Sequence, residues 1–251
     1  MRRSAHMLFV ALGLLALWQG ISSFQLVAPR FLPAPLVVFA AFLDLALSGV
    51  LLDDVLASVE RFAAGFAIAS ALAVPLAFCC GLMPAFAEAF LPLVELLRPI
   101  SPIAWIPLAI LWFGIGRETS YFLVAIGVFF PVFTNTFFGV RYVPLVYKRA
   151  ALCLGAKKRR MLLEIILPAA LPHIFAGLRI ALGVGWMCII AAELVGAQSG
   201  LGYLIQYSRL LLDTPRVIAG MVVIGVIGFG MSEAMRFIEL RCTPWHKEQD
   251  A

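Results

Sequence analysis

Residues 119–140 read Thr119-Ser-Tyr-Phe-Leu-Val-Ala-Ile-Gly-Val-Phe-Phe-Pro-Val-Phe-Thr-Asn-Thr-Phe-Phe-Gly-Val140, without one charged side chain. A helix needs about 20 predominantly apolar residues to cross the roughly 30 Å of hydrocarbon in a bilayer. Four further stretches meet or approach that standard: Met7–Phe24, Phe62–Met83, His173–Val195 and Val217–Ile238. The sequence therefore predicts an all-α protein, a polytopic bundle of transmembrane helices.

The composition supports this prediction. Of the 251 residues, 63% are hydrophobic and 13% are charged, with a mean hydropathy of +1.01. Soluble domains carry about a quarter charged residues and about half apolar ones. A soluble fold of this length has too little interior for so many apolar side chains, whereas a bilayer accommodates them. We therefore expect residues 1–251 to form a single membrane domain.

A sixth candidate span, Phe86–Gly114, contains four prolines: Pro92, Pro99, Pro102 and Pro107. Proline removes a backbone donor and clashes with the preceding helical turn, which predicts a sharp kink or a break. A broken helix persists at membrane depth only where protein or a water-filled cavity satisfies the freed backbone groups. About six spans are therefore expected, and residues 98–114 are the first candidate for the lining of a pathway.

Basic residues are distributed unevenly along the chain. Residues 141–160 carry seven Lys and Arg, and with Arg2, Arg3, Arg236, Arg241 and Lys247 they place twelve of nineteen on one face. The positive-inside rule puts that face, and with it both termini, in the cytoplasm. The net charge of +5 is explained by attraction to anionic lipid and implies no nucleic-acid partner. Residues 27–58 and 196–216, on the opposite face, are expected to lie along the membrane surface.

The basic loop 141–168 predicts two short helices joined at Gly155. Ala150 and Ala151 give the first helix a small apolar surface that can enter a groove on a partner, and a glycine readily adopts the positive φ that ends a helix. A basic patch follows, and Pro168 marks the return to the membrane. The residues alone leave two alternatives open, a docking surface and an ordinary solvated loop.

The same segment resembles the EAA loop of permeases in importers of the ATP-binding cassette class, whose pattern is E-A-A-x3-G-x9-I-x-L-P. The matching residues are Ala150, Ala151, Gly155, Ile165, Leu167 and Pro168, and Arg149 stands where the family has Glu. In that family the loop forms a coupling helix in a cleft of a cytoplasmic ATPase. The resemblance implies the same role for residues 141–168, with a changed contact at Arg149.

Further segments resemble the nitrate, sulfonate and taurine permease subfamily. They begin at Leu97 (Leu-Arg-Pro-Ile-Ser-Pro), Leu111 (Leu-Trp-Phe-Gly-Ile-Gly), Gly177 (Gly-Leu-Arg-Ile-Ala-Leu) and Ser199 (Ser-Gly-Leu-Gly-Tyr-Leu). The resemblance implies a permease dimer in the inner (plasma) membrane of a bacterium, with two ATP-binding subunits and an extracytoplasmic solute-binding protein. ATP would be used by the partner subunit, no cofactor would be bound directly, and the solute would be a small anion such as a sulfonate, taurine or nitrate.

Five ionisable residues lie in or near the predicted spans: Glu95, Arg98, Arg179, Glu193 and Glu233. Charges at bilayer depth are costly and usually face a cavity, a partner or an interface. Arg98 suits an anion pathway, although Glu95 stands three residues earlier, where a helix would pair the two. Glu193 is a candidate for fixing an outer gate. For Arg179 and Glu233, snorkelling to an interface is expected.

Two other functions remain as alternatives. A secondary transporter or channel would work without ATP, and such proteins often show inverted repeats with paired broken helices. An integral membrane enzyme would need His, Asp or Glu clustered at one interface, which the sequence lacks. The 251 residues also contain no G-x4-G-K-[ST] phosphate loop, so ATP hydrolysis and enzymatic catalysis are expected only in a separate partner.

Overall fold

The structure is a computed structural model that describes residues 13, 16–24, 28 and 30–244. Within these residues the chain is helical apart from short connections. The helices are α1 (residues 16–23), α2 Pro35–Leu47, α3 Val50–Leu82, α4 Pro84–Leu97, α5 Ile106–Phe113, α6 Arg117–Arg141, α7 Leu145–Cys153, α8 Lys158–Arg160, α9 Leu167–Gly196, α10 Leu201–Leu210 and α11 Thr214–Cys242. A 3-10 turn, Pro102–Trp105, precedes α5, and a π-helical turn, Met161–Ile166, joins α8 to α9.

Four helical stretches are long and apolar enough to cross a membrane: α3, α6, the continuous stretch Lys158–Gly196 and α11. The pair formed by α4 and residues 102–113 meets the same standard but is bent by 84°. The prediction of a polytopic helical bundle is therefore confirmed, and the prediction that prolines break residues 86–114 is confirmed with it. Of the first predicted span, Met7–Phe24, the structure describes residues 13 and 16–24, which include α1, and the rest lies outside the described residues.

Helix α6 lies at the centre of the bundle, between α3 and α9. Val124, Val128 and Val132 on α6 are fully buried in the main hydrophobic core. Small residues on the neighbouring helices allow the backbones to approach closely, as is typical of helix pairs in membranes. A Cβ added at Gly185 of α9, for example, would lie 2.7 Å from Cγ2 of Val128. The core thus depends on glycine at specific positions.

Helix α3 begins at Val50, which corrects the prediction that residues 27–58 lie along the membrane surface. Only α2 within that range is a short, separate helix, and Gly49, with φ of +80°, separates it from α3. Within the range predicted to lie at the surface, Asp54 and Ser58 are buried. They bond to residues of α9, of α10 and of the loop between them, so these two side chains belong to the interior.

Residues 196–216 contain α10, which at ten residues is too short to span a bilayer. Its buried side, Leu201 and Leu204, packs into the core beside α9 and α11. Helix α11 begins at Thr214, three residues before the predicted Val217, because Pro215 fits the first turn of a helix and the carboxylate of Asp213 accepts a hydrogen bond from the Arg216 amide.

Candidate functional site: a broken helix, a buried ion pair and an exposed loop

The break in the bundle lies at residues 98–107. Arg98 follows the last turn of α4, Pro99 stands in the turn after it, and Pro102 and Pro107 occupy the first turns of the 3-10 segment and of α5. The first turn of a helix does not need the N–H that proline lacks, so Pro102 and Pro107 begin helices, whereas Pro92 lies within α4. The chain turns sharply at residues 98–101, which are exposed.

A cavity of about 270 Å³ lies at this turn, and we call it the bend cavity. Its wall on α6 includes Gly127, Thr134 and Asn135, and its wall on α9 includes Ile180 and Val184. Arg98 and Pro102 close it from the broken helix. These positions on α6 and α9 lie near the middle of each helix, and the exposed Ile100 and Ile180 leave the bend cavity open to the bundle surface.

The predicted pairing of Glu95 with Arg98 is not formed. The ion pairs between described residues include neither side chain. Glu95 instead lines a second cavity, of about 370 Å³, together with Glu88 and Arg141. Arg98 has helical backbone angles and its amide donates to the carbonyl of Val94, so the spacing of three residues is kept, yet the two side chains line different cavities.

Glu193 is 1% exposed and belongs to a polar cluster at the α10 end of the bundle. Its carboxylate accepts hydrogen bonds from the Ser58 hydroxyl at 2.8 and 2.9 Å, from Nη1 of Arg61 at 2.9 Å and from the Gly202 amide at 3.0 Å. Burial of a charge is tolerated only where pairing and hydrogen bonds compensate for lost water. Here three donor groups, the Ser58 hydroxyl, the Arg61 guanidinium and the Gly202 amide, provide that compensation.

The rest of this cluster fixes the loop between α9 and α10. Arg61 donates to the backbone and side-chain oxygens of Ser199, both at 2.6 Å. Asp54 accepts from the Gly200 amide at 2.7 Å, and Ser58 accepts from the Leu201 amide at 2.8 Å. Glycine is required at Gly200, where φ is +111° and an added Cβ would lie within 2.6 Å of the Glu193 carboxylate. The cluster therefore joins α3, α9 and α10.

Sequence reasoning identified Glu193 but missed its partners. From the sequence, Arg61 was given no role, and Asp54 and Ser58 were placed in the surface stretch 27–58. A signal was present, since Asp54, Ser58 and Arg61 follow one another at spacings of four and three and so share one face of a helix. A predicted helix that began at Val50, as α3 does, would have placed these three polar residues on one face.

The 141–168 loop has the expected order of elements. Helix α7 carries Arg149, Ala150 and Ala151, Gly155 has φ of +75°, and α8 and the π-helical turn run on into α9. The second helix is thus the start of a long one and not a separate short helix. Ile165 lies in the π-helical turn, and Leu167 and Pro168 form the first turn of α9, where Leu167 packs against a small core around Val140 and Ile166.

Most of α7 is exposed, and this helix lies outside the stretches that could cross a membrane. Ala151 alone on this helix is buried, and it anchors α7 to the bundle. The exposed apolar side chains on and beside α7 are Leu145, Val146, Tyr147, Leu152 and Leu154. We call this set the α7 patch. Contiguous exposed apolar surface marks a site of interaction with a protein or a membrane.

Arg179 and Glu233, the other two ionisable residues singled out in the predicted spans, each have a charged partner. Arg179 pairs with Glu239 on α11, and Arg236 lies 3.7 Å from Glu233 one turn away on the same helix. Arg179 therefore connects α9 to α11. The exposure of Glu233 is consistent with the predicted position at an interface. In the part of the chain that the structure describes, no group of three His, Cys, Asp or Glu could hold a metal ion.

Comparison with known proteins agrees with this arrangement. Residues 73–243 match the family described as binding-protein-dependent transport system inner membrane component. The chain is 38% identical over 240 residues to the taurine transport system permease protein of Escherichia coli, covering 94% of this chain and 87% of that one. It is 34% identical over 237 residues to a putative aliphatic sulfonates transport permease protein of Bacillus subtilis, covering 94% and 86%.

A third relative is the bicarbonate transport system permease protein of Synechococcus elongatus, 34% identical over 240 residues, or 91% of this chain and 85% of that one. These relatives match along nearly the whole length, including the broken helix and the 141–168 loop. The subfamily recognised from the sequence is therefore confirmed, and neither a secondary transporter nor a membrane enzyme is needed to explain the fold. This chain belongs to the family of binding-protein-dependent transport system inner membrane components, the permeases of ATP-binding cassette importers.

Proposed function

We propose that two copies of this permease assemble with two ATP-binding subunits and receive solute from an extracytoplasmic binding protein. The observation that carries the proposal is the α7 patch. An apolar surface outside the membrane spans, on the helix that holds Ala150 and Ala151, needs a protein partner to cover it. In a family of ATP-binding cassette permeases, an ATP-binding subunit is the partner that this surface fits.

Residues 141–168 then lie in the cytoplasm, where ATP is available. Their seven basic residues between positions 141 and 160 support that orientation, because cytoplasmic loops of membrane proteins carry an excess of Lys and Arg. Exposed basic groups near the membrane also favour contact with anionic lipid headgroups. Arg149, at the position of the family's Glu, gives the docking surface a positive charge and calls for an acidic or neutral contact on the partner.

The proposed solute is a small anion. Relatives are named for taurine, aliphatic sulfonates and bicarbonate, all of which are small and carry an oxyanion. Arg98 lies at the broken helix without a carboxylate partner among the described ion pairs, so it supplies positive charge where a pathway is expected. Residues 98–114 of the two copies would line the route together.

Transport follows from movement of the two docking loops. Closure of ATP-bound partner subunits would draw the two α7 helices together. Because α8 and the π-helical turn continue into α9, a shift of the loop is transmitted to the wall of the bend cavity. The solute would then meet the pathway alternately from each side of the membrane.

An Ala150→Trp variant tests the proposal. Ala150 is exposed, so a bulky side chain leaves the permease fold intact while blocking close docking of a partner. We expect loss of co-purifying ATP-binding subunit and of ATP-driven uptake. Ala46→Trp is the matched control, since Ala46 is an exposed alanine of α2, far from the loop, and its variant should retain both activities. Normal uptake by Ala150→Trp would contradict the proposal.

A further inference from the structure

The bend cavity is lined by one charged side chain and by two polar side chains. Arg98 stands on the broken helix, while Thr134 and Asn135 stand on α6. Most other lining residues are apolar, including Ile180 and Val184 on α9. Small-molecule sites in proteins combine these features, an apolar lining with a few convergent polar groups that fix the orientation of the ligand.

The charged side chain, Arg98, can bind an oxyanion. The guanidinium of Arg98 offers five N–H donors in a planar fork that matches two oxygens of a sulfonate or carboxylate. The hydrogen bonds and ion pairs found between described residues do not engage it, and Glu95 faces a different cavity. Arg98 is exposed, so its guanidinium is accessible to an anion that enters the cavity.

The wall formed by α6 presents hydrogen-bond acceptors. The side-chain amide nitrogen of Asn135 donates to the carbonyl of Pro131 at 2.8 Å, and this bond fixes the side chain with its oxygen as the remaining acceptor. Pro131 has no N–H, so the carbonyl of Gly127, one turn earlier, lacks its usual helical donor. Gly127, Pro131 and Asn135 all line the bend cavity.

We infer that the bend cavity binds the transported solute and selects a small organic oxyanion that carries an N–H or O–H donor at its other end. Arg98 binds the oxyanion, and Asn135 accepts a hydrogen bond from the donor. The cavity volume of about 270 Å³ lies just under the ≈ 300–1,000 Å³ of sites for drug-sized ligands, which favours a smaller molecule. This inference rests on the proposed import function and adds the place and chemistry of solute recognition.

Thiol labelling with two probes tests the inference in the purified complex of permease and ATP-binding subunits, without binding protein. Ile180→Cys, in a background lacking the five native cysteines, places a reporter on the cavity wall. Val195→Cys, exposed near the far end of the same helix, is the matched control reporter. Taurine carries both an oxyanion and an ammonium group, whereas ethanesulfonate carries only the oxyanion.

We expect taurine to slow labelling of Ile180→Cys at lower concentration than ethanesulfonate does, and neither to slow labelling of Val195→Cys. Adding Arg98→Gln should weaken protection by both compounds by about tenfold or more, since a bond to a charged group is lost. Adding Asn135→Leu should remove the advantage of taurine and leave protection by ethanesulfonate unchanged. A merely structural role for Asn135 would weaken both compounds equally.

Three results would overturn the inference: no protection by either compound, unchanged protection after Arg98→Gln, or equal protection by taurine and ethanesulfonate. Failure of the proposed function is a separate observation. If the permease does not retain an ATP-binding subunit and shows no ATP-driven uptake, the import function fails. If the complex forms and transports solute while Ile180→Cys stays unprotected, only the assignment of the bend cavity fails.

Discussion

The guanidinium of Arg61 and the carboxylate of Glu193 lie 2.9 Å apart, although 132 residues separate them in the sequence. Both side chains are almost fully buried. Together with Asp54 and Ser58 they connect α3 to α9 and to the loop that begins α10. The hypothesis that Glu193 fixes an outer gate stays a prediction. If it holds, we expect α3, α9 and the loop that begins α10 to move together.

We predict that Glu193→Ala greatly destabilises the protein. Removal of one partner leaves the Arg61 charge buried and unpaired, which costs about 3–5 kcal/mol. The control is Asp44→Asn, which removes the exposed pair of Asp44 with Arg216 and should cost less than about 1 kcal/mol. Thermal unfolding in detergent compares the two variants. Equal stability of both would show that the buried pair does not hold the bundle together.

Two neighbouring glycines of α9 provide a second prediction. An added Cβ at Gly185 would lie 2.7 Å from Val128, whereas at Gly183 it would meet no atom within 4 Å. Gly185→Ala should therefore destabilise the protein by about 1–3 kcal/mol through overpacking. Gly183→Ala should be neutral or slightly stabilising, since alanine favours a helix over glycine. Thermal unfolding in detergent compares the two variants. If Gly183→Ala were less stable than Gly185→Ala, the packing of α6 on α9 would be contradicted.

The orientation of the chain yields a third prediction. In a cysteine-free background, Lys157→Cys should be protected from a membrane-impermeant thiol reagent in intact cells and labelled after permeabilisation. Ser48→Cys, between α2 and α3, should be labelled in intact cells, because a chain with the 141–168 loop inside places this turn outside. Both positions are exposed, so protection reports on the side of the membrane. Labelling of Lys157→Cys in intact cells would reverse the topology.

The pathway proposal makes a fourth prediction. Single cysteines at Ser101, Ile103 and Leu111, all exposed in one chain, should react at rates that change with the nucleotide state of the complex. Ala109 lies on the same segment but is fully buried against Leu123 and Ala192, so cysteine there should stay unreactive in every state. Uniform protection at all four positions would leave the prolines with a packing role only.

Local features of the fold could be predicted from the sequence, whereas contacts between distant helices could not. Apolar runs located α6, α9 and α11 within a few residues, and four prolines predicted the break that ends α4. The pairing of Arg61 with Glu193 was missed because it depends on how α3 packs against α9. From sequence alone, a charged residue in a membrane protein is readily taken for a surface residue, because its partner on another helix is not visible.

The α7 patch illustrates the same limit at the candidate site. The spacing of Ala150, Ala151 and Gly155 suggested docking, yet only the structure separates their roles. Ala151 is buried and holds α7 in place, Ala150 is exposed, and Gly155 provides the left-handed turn. A substitution at Ala151 would therefore disturb the permease itself, which makes Ala150 the better probe of a partner.

Site-specific photocrosslinking measures most directly whether the α7 patch docks an ATP-binding subunit. A photoreactive phenylalanine analogue replaces Leu154, 88% exposed beside α7, or Leu212, 86% exposed between α10 and α11. We expect that, in intact membranes, the analogue at position 154 crosslinks to a subunit carrying a phosphate-binding loop, whereas the analogue at position 212 does not. Crosslinking of that subunit at Leu212 instead, or at neither position in an actively transporting complex, would contradict the account.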